Sequence, residues 1–321
     1  MGTETIATEH MVSAIRHIDH EPRWVVSRNL QYAQSFAEDL GVLHASNDLT
    51  GVWADPDIRF VYVSATRERR PHYIKSAAKA GKHILCDGPI CDDREQAEQL
   101  VKLCNDMGVT LAVHHVARAS NVLQTLKRLI REGEIGQLQT ISIIRGGPFI
   151  PPPNRHDYIT HAEGDIFFDA ALESIDLSRF LSGAEATNAV AIVKKSEHLP
   201  LHLAFALQMN DGSIAQIHES FSISEIESTV LVAGSKGSLT ATGTLSGRGA
   251  GTLTRRVTGR NELIPIRERD VHIAAIQDFV SGVQGKPNWL STGEDGIANL
   301  QAVEAIVKSV NRGVLVEIAQ A

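Results

Sequence analysis

The sequence predicts a two-domain α/β protein, with a doubly wound parallel sheet first and then an α+β domain built on a large, mostly antiparallel sheet. Two patterns predict it. In the first third, short wholly apolar runs alternate with helical periods, as strands buried on both faces do when crossover helices join them. Beyond about residue 119 the strands alternate apolar with polar and follow one another through turn signals, the habit of hairpins. With 321 residues, 43% of them hydrophobic, the chain can build two cores. The boundary falls between domains 1–118 and 119–321.

Each element follows from its pattern. Residues 5–18 carry Ile6, Met11, Ala14, Ile15 and Ile18 at helical spacing. Residues 24–27 read as a strand, and 30–40 as a helix that Gly41 ends in the left-handed conformation. Runs at 60–65, 83–86 and 109–113 are further strands, separated by helices at 71–80 and 92–107. The second half opens with a helix at 122–132, a strand at 138–145 and a Pro-rich loop at 146–153. A helix at 166–181 precedes strands at 188–193, 201–208, 214–221, 228–233 and 238–240. A Gly-rich loop at 246–251 and helices at 271–283 and 295–311 complete the chain.

Composition narrows the partners. A formal net charge of −7 with no basic face argues against nucleic acid, and the apolar runs are too short to span a bilayer. Cys86, Cys91 and Cys104 are few and unlike a metal finger, so they read as reduced thiols of a cytoplasmic protein.

Four segments carry a resemblance. Gly81-Lys82-His83-Ile84-Leu85-Cys86-Asp87-Gly88-Pro89 is similar to a strand ending in Glu-Lys-Pro, and Gly133-Glu134-Ile135-Gly136 to a helix-to-strand turn. Residues 169–176 resemble an Asp-x-Gly-x-His-x-x-Asp helix, and Gly234-Ser235-Lys236-Gly237-Ser238-Leu239 a Gly-(Thr/Ser)-Lys-Gly segment. In this order they resemble the glucose–fructose oxidoreductase / inositol dehydrogenase / MocA (Gfo/Idh/MocA) family, over nearly the whole chain. The resemblance implies a Rossmann-like first domain and NAD or NADP as cofactor. It implies a sugar, cyclitol or related polyol or carboxylate as substrate. It also implies a homodimer or homotetramer formed through the open sheet.

Three departures fall on the chemistry. Gly2-Thr3-Glu4-Thr5-Ile6-Ala7 lines up with a Gly-x-Gly-x-x-Ala turn, making Gly2, Thr3 and Ile6 candidate cofactor contacts. Glu4 stands where a glycine would admit the pyrophosphate, and two unit charges about 4 Å apart repel by about 4 kcal/mol at an effective dielectric near 20. The strand expected before this turn is missing from the sequence, so either the protein begins upstream of Met1 or the half-domain is rearranged. Ser27 and Arg28 follow the second expected strand, where they suit the 2′-phosphate of NADP; a solvated turn explains them equally well.

In the family the lysine of Glu-Lys-Pro helps the proton move, and here that position is Gly88, flanked by Asp87 and Pro89. The family's acid/base histidine is Glu173, with Asp169 and Asp176 retained. Spacings of four and three put these three carboxylates on one helical face, where a pKa must rise or a cation be recruited. They either pair with Arg118, Arg145 or Arg155, or make Glu173 a general base beside Asp169, or join His156 or His161 at a metal; the histidine spacing fits no standard metal motif.

The expected catalytic set is Glu173, Asp169, Asp87 and His156, with Gly2, Thr3, Ile6, Ser27, Arg28, Gly88 and Pro89 at the cofactor and no metal. The site is expected between the halves, with His114, His115 and Arg118 also lining it. Hydride transfer is the leading expectation. A redox-neutral lyase or isomerase using Glu173, or a non-catalytic ligand-binding regulator, remains open.

Overall fold

The computed structural model describes residues 1–3, 7–148, 165–196 and 199–319. It divides into two compact units, Met1–His115 with His272–Ile297, and Val116–Val271 with Ala298–Ala321. The chain thus re-enters the first unit late, whereas the sequence places one boundary after residue 118.

In the first unit, strands β1 (Trp24–Val26), β2 (His44–Ser46), β3 (Phe60–Val63), β4 (His83–Asp87) and β5 (Leu111–His114) alternate with helices. These are α1 (Val12–His17), α2 (Leu30–Leu40), α3 (Thr50–Ala54), α4 (Arg70–Lys79) and α5 (Arg94–Asp106). A π-helical turn, Ala7–Met11, leads into α1. The Asn29 side chain accepts from the amides of Gln31 and Tyr32 to start α2, and Gly41 ends it in the left-handed conformation. The Asp93 carboxylate caps α5. The core joins Met11, Val25, Phe36 and Leu85 to Ile276 and Phe279.

The second unit opens with α6 (Val116–Ala119), α7 (Asn121–Arg131) and β6 (Leu138–Gly146), followed by a π-helical turn (Phe167–Ala171) that runs into α8 (Leu172–Ser182). Strands β7 (Ala186–Ser196), β8 (Leu199–Met209), β9 (Ile214–Ser220), β10 (Thr229–Gly234), β11 (Gly237–Thr242), β12 (Thr252–Val257) and β13 (Arg260–Ile264) come next. The chain closes with α9 (Val271–Val283), β14 (Ser291–Thr292), α10 (Gly293–Arg312) and β15 (Val316–Glu317).

The parallel strands form two separate sheets, β1-β2 and β14-β5-β4-β3, with β14 antiparallel to β5. The second unit's sheet runs β13-β12-β11-β10-β6-β9-β8-β7-β15 and is antiparallel except where β6 meets β9. Its outward face exposes Ile144, Val190, Ile192 and Ile214.

The expected fold class is the one observed, with differences in detail. β2, α3, α6, β12, β13, β14 and β15 arise where the sequence reading places no element. β2 is a three-residue strand of half-buried residues, and β12 and β13 carry arginines and other exposed polar groups, so none shows an apolar run.

Candidate functional site

Within the first unit, parallel pairing sets the carboxyl ends of β3, β4 and β5 side by side, with Asp87 in register with His114. Three buried side chains meet there. The Tyr62 hydroxyl donates to the Asp87 carboxylate, and His114 Nδ1 lies 3.2 Å from Asp87 Oδ1 and 3.4 Å from the Tyr62 oxygen. Burial alone would raise the Asp87 carboxyl, but the His114 hydrogen bond and charge, Arg70 and the Tyr62 hydroxyl outweigh it and hold it below its ordinary value. Burial and the Asp87 charge push the Tyr62 hydroxyl well above its own, so the phenol stays a proton donor. Tyr62 was missed in the sequence because a tyrosine within Phe60-Val61-Tyr62-Val63 reads as core.

Gly88 follows Asp87 and is joined to Pro89 by a cis peptide bond. A Cβ at Gly88 would lie 2.8 Å from His115 Cε1 and 3.2 Å from Val113 Cγ1. The imidazole of His115 therefore fills the space into which a side chain at 88 would grow, and a lysine has no room unless that ring moves. Arg70 ties this corner, donating 2.7 Å to the Pro89 carbonyl and 2.8 Å to that of Ala65.

The cofactor candidates lie in the same unit. Gly2 sits at φ +97°, and a Cβ there would come 2.6 Å from the Ala65 nitrogen, so only glycine fits this approach. Thr3 is half-buried, while Glu4 and Ile6 lie outside the described residues. Ser27 is tied by its amide to the Ser46 carbonyl at 3.1 Å, and Arg28 is exposed. Burial raises the Tyr73 hydroxyl, and the charges of Arg69 and Arg28 oppose it.

In the second unit the three carboxylates meet different surroundings. Asp169 belongs to the π-helical turn, and Glu173 and Asp176 belong to α8. Asp169 is exposed, while Asp176 is 1% exposed and buried. Arg118 grips Asp176 through a fork of 2.7 and 2.8 Å, and Asn299 donates 3.0 Å to the same carboxylate. Glu173 is met by Arg145, which donates 2.6 Å to it, 2.9 Å to Glu219 and 2.7 Å to the Ala170 carbonyl. Glu219 is almost wholly buried and also accepts from the Ser174 hydroxyl; burial raises its carboxyl, with Arg145 and Ser174 opposing. The raised carboxyl is thus Glu219 on β9, which the sequence did not single out.

His156, Arg155 and His161 lie outside the described residues. Among the described residues no group of histidine, cysteine and carboxylate side chains is arranged to hold a metal, and no helix is long and apolar enough to cross a membrane. Cys86, Cys91 and Cys104 are free and buried, with burial pushing Cys86 up to about 12.

Residues 1–115 match the family model described as "Oxidoreductase family, NAD-binding Rossmann fold", and residues 123–240 match the GFO/IDH/MocA C-terminal domain. The 1,5-anhydro-D-fructose reductase of Ensifer adhaerens is 27% identical over 99% of this chain and 97% of its own length. The inositol 2-dehydrogenase of Rhizobium meliloti is 27% identical over 82% of the chain and 81% of its own. Among solved structures, the aldose-aldose oxidoreductase of Caulobacter crescentus superposes with a TM-score of 0.88 at 20% identity, over 98% of this chain and 97% of that one.

Proposed function

The chain belongs to the Gfo/Idh/MocA family of oxidoreductases, and on that premise we propose that it is an NAD(P)-dependent oxidoreductase of a sugar, cyclitol or related polyol. The observation that carries the reading is the cluster of Asp87, Tyr62, His114 and His115 at the carboxyl ends of adjacent parallel strands, the edge at which such sheets take their ligands. The anhydrosugar and inositol in the relatives' names support the substrate class.

The described residues fit a nicotinamide dinucleotide. Gly2 lets the chain pass close to the Ala65 backbone, and the exposed Arg28, just beyond β1, offers a guanidinium to an anionic group, which favours the 2′-phosphate of NADP. When bound, the cofactor supplies or accepts the hydride.

Proton handling is the altered part. In the place of a lysine at Gly88 stands the imidazole of His115, and we assign the proton transfer to it. Asp87, held ionised, and the Tyr62 phenol fix the neighbouring His114 ring. Glu173 has its carboxylate engaged by Arg145, so acid/base chemistry centred on Glu173 is the weaker reading. The buried thiols suit a reducing cytoplasm, and the outward row of Ile144, Val190, Ile192 and Ile214 suits a second copy of the chain.

Titration with NADPH and NADH, followed by nicotinamide fluorescence, tests the cofactor. Saturable binding of NADPH is expected, and Arg28→Ala weakens it about tenfold, the loss of one charge-assisted hydrogen bond, while NADH binding changes little. Binding of neither nucleotide would overturn the oxidoreductase reading.

A further inference from the structure

Three histidines from distant parts of the chain form a line inside the first unit. His10 lies on the π-helical turn Ala7–Met11, His114 ends β5, and His272 stands in the first turn of α9, where the chain re-enters this unit. The rings of His10 and His272 are stacked, with centroids 4.3 Å apart and planes 7° from parallel. Those of His272 and His114 are 5.4 Å apart and tilted by 52°. The line ends inside the protein, where His114 Nδ1 lies 3.2 Å from Asp87 Oδ1 and Asp87 accepts from the Tyr62 hydroxyl. It begins at the surface, since His10 is exposed whereas His272, His114, Asp87 and Tyr62 are buried.

Strand alternation and helical spacing build this line. Residues paired side by side in a parallel sheet share a face, and so do residues two apart on one strand. Tyr62 pairs with Leu85, and Asp87, two residues beyond Leu85, pairs with His114, so all four point to one face. Met11, Ile276 and Phe279 pack in one core with Tyr62 and Leu85, so the π-helical turn and α9 cover that face. His10 adjoins Met11 in the chain. His272 precedes Ile276 by four residues and shares its inward helical face.

An imidazole has two ring nitrogens and can take a proton at one while releasing a proton from the other. In His114 the two are set differently. Nδ1 faces the ionised Asp87, whereas Nε2, on a side chain whose residue is only 6% exposed, is buried and makes no hydrogen bond. Leaving such a nitrogen unbonded is destabilising, which calls for a role. Nε2 is the atom of His114 that remains for exchange with the next ring. A turn of either imidazole brings nitrogen within hydrogen-bond reach of nitrogen along the line, and the Asp87 charge attracts a proton toward its inner end.

We propose that His10, His272 and His114 are a proton path between solvent and the buried Asp87–Tyr62 pair. A proton taken from water at His10 passes to His272 and then to His114 Nε2, while His114 hands the proton on its Nδ1 to the pair. One proton enters and one moves on, and the reverse order returns it to water. Each carbonyl reduction by hydride takes up one proton, and Asp87 adjoins Gly88, against which His115 lies. The use of the path therefore rests on the oxidoreductase reading, but its test does not.

The test reads proton exchange rather than turnover. In the full chain labelled at tyrosine Cζ and dissolved in equal parts of light and heavy water, a slowly exchanging hydroxyl splits the Cζ signal and a rapidly exchanging one leaves a single line. Tyr62→Phe assigns the signal. A single line is expected for Tyr62 in the unaltered protein, buried though it is. His272→Phe keeps a ring in the stack without a nitrogen, and it slows exchange at Tyr62 at least about tenfold. A merely structural role for His272 predicts the opposite, because a loosened fold exchanges faster. If His272→Phe does not fold, His10→Phe at the exposed end decides in its place, slower exchange supporting the path. A split Tyr62 signal in the unaltered protein, or exchange in the variant equal to or faster than in the unaltered protein, overturns the proposal.

Discussion

Gly88 is understood through a residue far from it in sequence. Because His115 lies where a side chain at 88 would begin, Gly88→Lys overpacks the corner by about 1–3 kcal/mol and gains no activity. His115→Ala in the same chain relieves the clash, so thermal unfolding of the four variants gives a coupling above about 0.5 kcal/mol, and additive effects would contradict the geometry. Arg145 is the counterpart in the second unit. Arg145→Met strands Glu219 beside Glu173 and costs about 3–5 kcal/mol in urea unfolding, whereas Glu219→Met in the same background recovers part of it. Acid sensitivity follows from carboxyls held below their ordinary values, Asp87 by His114, Arg70 and Tyr62, and Asp55, at about 2, by Trp24, Asp57 and Arg23. Such groups stabilise the fold fully above about pH 4 and lose that contribution as pH falls through their lowered values, so stability drops between about pH 4 and 2. Asp87→Asn flattens part of that decline. The departures at Gly88 and Glu173, and Arg118 and Arg145 as candidate cations, were legible because they sit inside recognisable segments. Tyr62, Glu219 and the closeness of His115 to Gly88 were not, since strand pairing and a turn in the backbone create them.

Elements show the same division. Regular periods gave the strands of the parallel sheets, except β2 and β14, and, among the described residues, every helix of ten or more residues, because burial imposes those periods. That Asp169 lies on a π-helical turn while Glu173 and Asp176 lie on α8 was not legible, since nothing in Phe167-Phe168-Asp169-Ala170-Ala171 announces such winding. The sheet of the second unit presents Ile192, 76% exposed, in line with Ile144 across β8 and β9. Ile192→Glu places a charge in that row, so the oligomer expected there dissociates to monomers by sedimentation velocity while the melting of each subunit changes by less than about 1 kcal/mol. An unchanged assembly would show that another face is used.

For the molecule as a whole, the family scaffold persists, with Gly88 and Glu173 standing where the resemblance implies a lysine and a histidine. The fold was legible because many weak signals agree on it, each reporting burial or a turn. The chemistry was legible only as absence, the lysine and the histidine not being there, and the replacement needed three-dimensional placement. The central claim is that the chain still transfers hydride, with His115 carrying the proton a lysine would otherwise handle. Its most direct test is steady-state turnover with NADPH on a panel of aldoses, anhydroketoses and inosose ketones, comparing the unaltered protein with His115→Gln. Turnover by the unaltered protein is expected. In His115→Gln, kcat falls by about 10²–10⁴, with NADPH affinity kept. Undiminished turnover by His115→Gln would contradict the claim.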